Sequence, residues 1–441
     1  MRSIFILALA IALLPLARGN PALDILESNK TPTDAPVIQT AEGASANGKT
    51  RENLIYPHPV WPAWQNSTFD PVWARAVLFQ SDANPWVQHV AVSGFFDFQA
   101  AFGHAEVDGV GNTEARDVKL DSTRTRRARL GARIRAFGNT DIEAKAELAG
   151  SPEHSGIERL SARTGVLQDY GVTYGKFRPD FTAEYRQEPE FSPYPDRSML
   201  VNMIAPVSTL GVRFDHRRGD WEYGIGWSSA DSDPNIPSLE GDGFITLNIA
   251  RTFVERSEKS LMRTRWHLDY IHNLDGGGSK SIPRHNVAGK MSANGGQMVS
   301  QNPAFQHLFS TGFTVEQEKF SFLGDFMLAK GDTGAWGLTL APTWWAMPGV
   351  LKLVGRYHYA GSDDPGALVT TMGAAADPYF DASPFFIGDE YHSFYLGANA
   401  HLYEDRMVLM SGLENIILKD QAGAGFDTET WIWHTGVKAS F

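Results

Sequence analysis

The last eleven residues, Trp431 to Phe441, constrain the fold more than any other stretch of the 441-residue chain. Trp431, Trp433, Thr435, Val437, Ala439 and Phe441 are apolar or uncharged, and the interleaved set Ile432, His434, Gly436, Lys438 and Ser440 holds all the charge. A period of two describes a strand with one greasy face and one wet face. In an open sheet a terminal strand leaves an unpaired edge. Closing the sheet into a membrane barrel removes the edge: the last strand pairs with the first, and its aromatic end sits at the membrane interface. The last strand of a soluble sandwich is the alternative that this stretch leaves open.

The other end of the chain sets the compartment. A short basic start, Met1-Arg2-Ser3, precedes an apolar run from Ile4 to Ala17. That run has the length of a signal peptide and is too short to span a bilayer. Small residues at Ala17 and Gly19 suit cleavage near Gly19, so export is expected. No other segment approaches 18 uninterrupted apolar residues, a length that would suggest a membrane helix. Asn20 to about Asn84 is rich in Pro, Ala, Asn and Thr and shows no periodicity. The expected organisation is a signal peptide over 1–19, a flexible N-terminal arm over 20–85, and one transmembrane barrel over 86–441.

Sixteen alternating segments follow Val87: 88–103, 124–137, 139–150, 156–164, 169–178, 206–217, 220–230, 243–254, 261–273, 306–318, 319–331, 335–346, 349–360, 390–402, 406–418 and 430–441. Their connectors alternate in length. Those at 104–123, 179–205, 231–242, 274–305, 361–389 and 419–429 are long and carry Gly, Pro and Asp. Gly138-Asn139, Arg218-Gly219, Glu318-Lys319, Met347-Pro348 and Glu404-Asp405-Arg406 are tight, and 255–260 is slightly longer. In an antiparallel meander this places all long loops at one end, the asymmetry of an outer-membrane barrel with short periplasmic turns and long outer loops. The fold expected is therefore all-β, a transmembrane antiparallel barrel of about sixteen strands. Composition agrees. There are 42 Gly, 26 Phe, 12 Trp and 13 Tyr with no cysteine, which suits strands facing lipid on one side and water on the other without covalent staples.

Charge placement gives the candidate site. Between Arg126 and Phe137, Ala128, Leu130, Ala132, Ile134 and Ala136 share one face, and Arg127, Arg129, Arg133 and Arg135 share the other. A charged residue on the lipid face near the midplane costs about 2–4 kcal/mol, so the four arginines are expected to form a column along the lumen. The next strand sets Asp141, Glu143, Lys145 and Glu147 inward, so the arginines either brace the wall or shape a field across the pore. Arg213, Arg263, Arg265, Lys352 and Arg356 join Lys145 as expected pore-lining bases by the same alternation, with His267 and His358 beside them. The connector 179–205 carries Pro179, Pro189, Pro193 and Pro195, which block ladder pairing. It reads either as a surface loop or as a segment folded into the lumen, with Tyr185, Arg186, Phe191, Tyr194 and Arg197 lining a constriction.

These blocks, RRARLG at 126–131 and GKFRPDF at 175–181, with the sixteen-segment layout and terminal Phe441, resemble the phosphate-selective porins, the O- and P-type porins of Gram-negative outer membranes. The resemblance implies a homotrimer that passes small anions, phosphate or polyphosphate among them, with Arg127, Arg129, Arg133 and Arg135 as the arginine column. The loop departs from that pattern: it holds Asp180, Glu184, Glu188, Glu190 and Asp196 against Arg186 and Arg197, while a later loop with Lys280, Arg284, His285 and Lys290 is basic.

The formal charge is −12, and −14 without the charges of Arg2 and Arg18, which excludes a nucleic-acid binder. There is no GxSxG, HExxH, Walker or CxxC motif. No cofactor, no metal site and no enzyme activity is expected; the partners expected are small anions and outer-membrane lipid. The competing functions are a general or cation-preferring porin, and a structural or adhesive outer-membrane protein whose arm reaches the cell wall.

Overall fold

The computed structural model describes residues 69–441 except 109–115, 150–155, 168, 232, 234, 240–241, 257–260, 275–290, 293–297, 300–304, 332, 365–367, 371–385 and 420–426. The expected signal peptide, most of the arm and the basic loop with Lys280, Arg284, His285 and Lys290 lie outside the described residues. Among the described residues no helix is long and apolar enough to cross a membrane.

Sixteen antiparallel strands close into a barrel. They are β1 Val87–Val107, β2 Arg116–Ala136, β3 Thr140–Glu147, β4 Gly156–Leu167, β5 Tyr170–Phe177, β6 Thr209–Arg218, β7 Trp221–Ser228 and β8 Phe244–Arg256. The second half is β9 Leu261–Asn273, β10 Phe305–Glu316, β11 Phe320–Gly331, β12 Gly334–Met347, β13 Leu351–Gly361, β14 Glu390–Tyr403, β15 Met407–Lys419 and β16 Thr428–Ser440. Each strand pairs with its sequence neighbours, and β16 pairs with β1 from Phe95↔Ser440 to Val107↔Thr428. Closure leaves no edge in the spanning wall. Outward positions carry Phe96, Phe102, Leu130, Ile225, Leu396 and Trp433, all exposed, as a lipid-facing surface requires.

Two connectors differ from the sequence expectation. Strands β1 and β2 continue their ladder through most of 104–123, down to Val107↔Arg116, because alternation weakens there without any proline to end the pairing. At the long-loop end, only 332–333 separates β11 from β12.

The seam is built around one close approach. Phe441 exchanges backbone hydrogen bonds with Gly94 in both directions, each at 3.0 Å. Its ring lies over Gly94 so closely that a Cβ there would sit 2.3 Å from ring carbons. Strand β16 ends at this point, but β1 continues below it to Val87. The exposed edge is covered by residues the sequence analysis placed in the arm: Val77–Gln80 forms a short strand pairing Val77↔Ala91 and Gln80↔His89. Just before it, the Trp73 indole donates to the Ser440 carbonyl at 2.5 Å. Phe69 and Trp73 pack on Tyr403 at the β14–β15 turn, and the Tyr403 hydroxyl donates to Asp70 at 2.5 Å. Residues 69–80 therefore lie at the turn end of the barrel.

Substituting Gly94→Leu, which needs the space held by the Phe441 ring, should prevent closure. Heat-modifiable folded barrel on a semi-native gel should fall at least several-fold, whereas Gly165→Leu, whose Cβ meets nothing closer than 3.8 Å, leaves the seam intact and should yield far more folded barrel. Equal yields would exclude the seam as the critical contact.

Candidate functional site: a lumen filled by an inward-folded loop

Register explains why the lumen holds more base than simple alternation allows. Between Asp97↔Arg127 and Phe98↔Thr125 the β1–β2 ladder skips Arg126. This bulge sets Arg126 and Arg127 on the same side and brings Arg124 inward with them, sparing two guanidiniums a lipid-facing position. A second bulge between Lys145↔Arg159 and Ala146↔Ile157 does the same for Glu158 beside Arg159. Arg126, Arg159 and Lys176 were missed as site residues. The signal for Arg126 was legible: a charge on the wrong parity of a lipid-exposed strand demands a bulge.

Each of the ten expected pore-lining bases faces a carboxylate within 4 Å. Arg127 meets Asp97 at 3.0 Å, Arg129 meets Glu147 at 2.7 Å, Arg133 meets Glu143 at 3.3 Å, and Arg135 meets Asp141 at 2.9 Å. Lys145 bridges Glu143 and Glu190, Arg213 pairs with Asp215 and Asp180, and Arg263 faces Glu316. Arg265 bonds Glu222, Lys352 lies 3.9 Å from Asp405, and Arg356 spans Glu184 and Glu414. The column is a set of braces in this state, not a bare row of cations.

Residues 179–205 lie inside the barrel and carry two short helices, α1 Ala183–Arg186 and α2 Met199–Ile204. Their acidity, the departure from the expected basic lining, is the counterpart of the basic wall. Asp180 pairs with Arg213, Glu184 with Arg356, Glu188 with Arg159 at 2.8 Å, Glu190 with Lys145 at 3.1 Å, and Asp196 with Arg126 at 2.5 Å. On the opposite wall Asp325 accepts from the Ala183 amide at 2.6 Å, and Arg186 donates to buried Asp269. Across the lumen, Lys438 donates to the carbonyls of Pro189, Ser192 and Tyr194 at 2.8–3.2 Å, with Asn399 on Pro193 and Gln99 on Pro195. The loop is a bar fixed at both walls.

Of the five expected constriction residues, four fill the lumen and do not rim an opening. Tyr185 is wholly buried, with Arg178 and Arg197 on its two faces at 4.8 and 4.7 Å. Tyr194 is buried against Tyr395 and donates to the Gly355 carbonyl at 2.8 Å. Arg186 is spent on Asp269. Arg197 makes no ion pair among the described residues, and one of its terminal nitrogens is buried without a hydrogen-bond partner. Phe191, half exposed, borders a small pocket at the turn end with Lys352, His401 and Lys438.

Toward the long-loop end the lumen changes character. Leu200, Val201, Met203 and Ile204 of α2 pack on inward apolar side chains that include Ile271, Leu308, Met327, Ile416 and Ile432. Leu200 sits over Gly337, where a Cβ would come within 2.6 Å of its methyl carbon. A greasy layer of this kind excludes water, above a charged layer formed by the loop acids and wall bases.

Burial by itself would raise the pKa values of Asp180, Glu188 and Asp196, but the arginines outweigh it. Arg126 and Arg127 hold Asp196 well below the usual range, Arg213 and Arg186 do so for Asp180, and Arg178 and Arg159 for Glu188. Burial pushes the Tyr185 phenol up to about 12 and Arg197 down to about 9, the latter with help from Arg178.

Two Ser–His–carboxylate contacts also meet in the wall. His267 Nε2 lies 3.3 Å from Ser310 Oγ and 3.2 Å from Asp325. His434 Nε2 lies 3.0 Å from Glu414, which also accepts from Ser393 at 2.5 Å. In the first, one ring nitrogen serves both partners; in the second, the serine bonds the carboxylate and not the imidazole.

No family model and no curated protein matches the chain. Solved structures similar to it include an anion-selective porin from Comamonas acidovorans, 12% identical with a TM-score of 0.46, covering 80% of this chain and 99% of that one. The outer membrane channel DcaP of Acinetobacter baumannii is 13% identical with a TM-score of 0.46, covering 82% and 99%. OmpT, an outer-membrane protein of Vibrio cholerae, is 9% identical with a TM-score of 0.48, covering 82% and 100%. These values assign no activity. The sequence-based exclusion of an enzyme is withdrawn: OmpT stands among the similar chains beside porins, and a barrel shared in this way leaves enzyme status open.

Asp180, Glu188 and Asp196 have lower pKa values docked than free. Docking stability from them is complete above about 4.5, the free carboxylate range, and is lost as pH falls through their depressed values. Acidification from pH 7 to below about 3 should therefore release the loop and raise conductance in planar bilayers, with no change between pH 7 and 5. A flat profile down to pH 2 would show that ion pairs do not hold the loop.

Proposed function

We propose that the protein is an outer-membrane channel of a Gram-negative-type cell, exported by its signal peptide, through which small anions pass when the 179–205 loop leaves the lumen. One observation carries the anion preference: the bulge at Arg126 turns additional bases inward, and Arg197 remains without a counter-ion on the loop itself. When the loop withdraws it takes five carboxylates with it, and Arg126, Arg159, Arg213, Lys145 and Arg356 lose partners. The wall left behind is then basic. Phosphate is a permeant implied by the porin resemblance alone. The filled lumen favours a second reading, a structural role with the arm reaching the cell wall.

A homotrimer is proposed from the same resemblance, and the wall offers a face for it. Strands β3, β5 and β7 are 8 residues long, shorter than the roughly 9–11 residues that span a bilayer. The outer face beside them carries Ala128, Ala132, Ala144, Ala146 and Ala162, small enough for a neighbouring barrel to approach. Ala144→Trp should yield monomers on native gels with sheet content unchanged.

The deciding measurement is the reversal potential under a salt gradient. Wild type should favour anions. Replacing Arg127, Arg129, Arg133 and Arg135 together by alanine leaves Asp97, Asp141 and Glu147 uncompensated and should reverse the preference toward cations. Wild-type protein silent at every pH and voltage would favour the structural role.

A further inference from the structure

The apolar layer of the lumen is hard to reconcile with a path for hydrated inorganic ions alone. A phosphate crossing it would shed water against Ile271, Leu308, Met327, Ile416 and Ile432, a large penalty for any charged group. The segment that occupies this layer shows what fits there. Helix α2 places its apolar side chains among those residues, and just ahead of it the Asp196 carboxylate sits on Arg126 at 2.5 Å. Asn202 of α2 donates to the same Asp196 oxygen at 3.4 Å, so carboxylate and apolar body form one unit. Arg126 and Asp196 are both largely shielded from solvent, and the Arg126 Nε is buried without a partner, leaving the fork able to donate to a second carboxylate oxygen.

We infer that the outer half of the lumen is a binding site for an amphipathic carboxylate, a small acid with an apolar body, and that Asp196 to Ile204 occupies it here as a built-in stand-in. The acid's carboxylate takes the place of Asp196 on Arg126, and its body takes the place of Leu200, Val201 and Ile204. Such a solute competes with the plug for its seat, so it promotes opening as it binds. Arg126 is the specificity-determining residue because its bulge is what turns a guanidinium toward this layer. The inference rests on the channel reading in taking the lumen as the solute's path.

The test is equilibrium binding of hexanoate, acetate and inorganic phosphate to the purified full-length protein, measured by titration calorimetry. Arg126→Ala in the same detergent corrects for partition into micelles. Hexanoate should bind saturably, with acetate and phosphate at least tenfold weaker. Weakening the stand-in with Asp196→Asn should raise hexanoate affinity about tenfold, since apparent affinity follows the fraction of binding-competent molecules; Arg126→Ala should abolish binding while heat-modifiability persists. If Arg126→Ala fails to fold, Arg126→Lys, which keeps the charge and loses the fork, should bind with intermediate affinity. Phosphate binding as tightly as hexanoate, or an affinity unchanged or lowered by Asp196→Asn, would overturn the site. Bilayer conductance in potassium chloride without hexanoate separates the two readings. A conducting protein with no hexanoate preference sinks the site alone, and a protein that binds hexanoate yet stays silent when hexanoate is added to the bilayer chamber sinks the channel.

Discussion

A barrel whose outer wall meets lipid has one place to put its charges. Ionised groups on the membrane face cost a few kcal/mol each, so nearly all the charge of the wall is gathered into a narrow lumen, where like charges crowd and burial is expensive. The structure answers this by opposite pairing at short range. Arginines of β2 meet carboxylates of β1 and β3 along the ladder, and the bases left over meet the acids of the 179–205 loop. Removing one member of such a buried pair strands the other, at about 3–5 kcal/mol. The loop is thus held less by any single contact than by the number of wall bases that would be left alone without it.

In the proposed channel the same pairing makes the loop a reversible stopper. Its apolar half, α2, seals the outer lumen by excluding water, while its polar half is fixed by ion pairs and by the three bonds of Lys438. Ion pairs respond to pH, salt and competing anions; the apolar contact responds to greasy solutes. A plug built from both answers a molecule that has both properties, and this ties the acidity of the loop to the zoning of the lumen.

Backbone details that look incidental prove to position these groups. The bulge at Arg126 turns an arginine that alternation would place in lipid toward Asp196. Gly94 admits the Phe441 ring and lets the sheet close, and Gly337 gives Leu200 its seat. Residues 77–80 finish the seam that β16 leaves short.

Strand number and order were legible in the sequence, because a half-buried strand repeats every two residues and a lipid face tolerates no charge. All sixteen segments found by that rule are strands of the barrel, and the expected column of Arg127, Arg129, Arg133 and Arg135 points inward. What the column does was not legible. Pairing of Arg129 with Glu147 follows from register, which adjacent alternation suggests, but pairing of Arg126 with Asp196 or Arg356 with Glu184 joins residues 70 and 172 positions apart. A periodic pattern carries only local information, so it fixed the wall. Whether the acidic, proline-rich segment lay outside the barrel or within it depended on contacts between distant residues, and the closed sheet decided that by bringing its bases to face that segment.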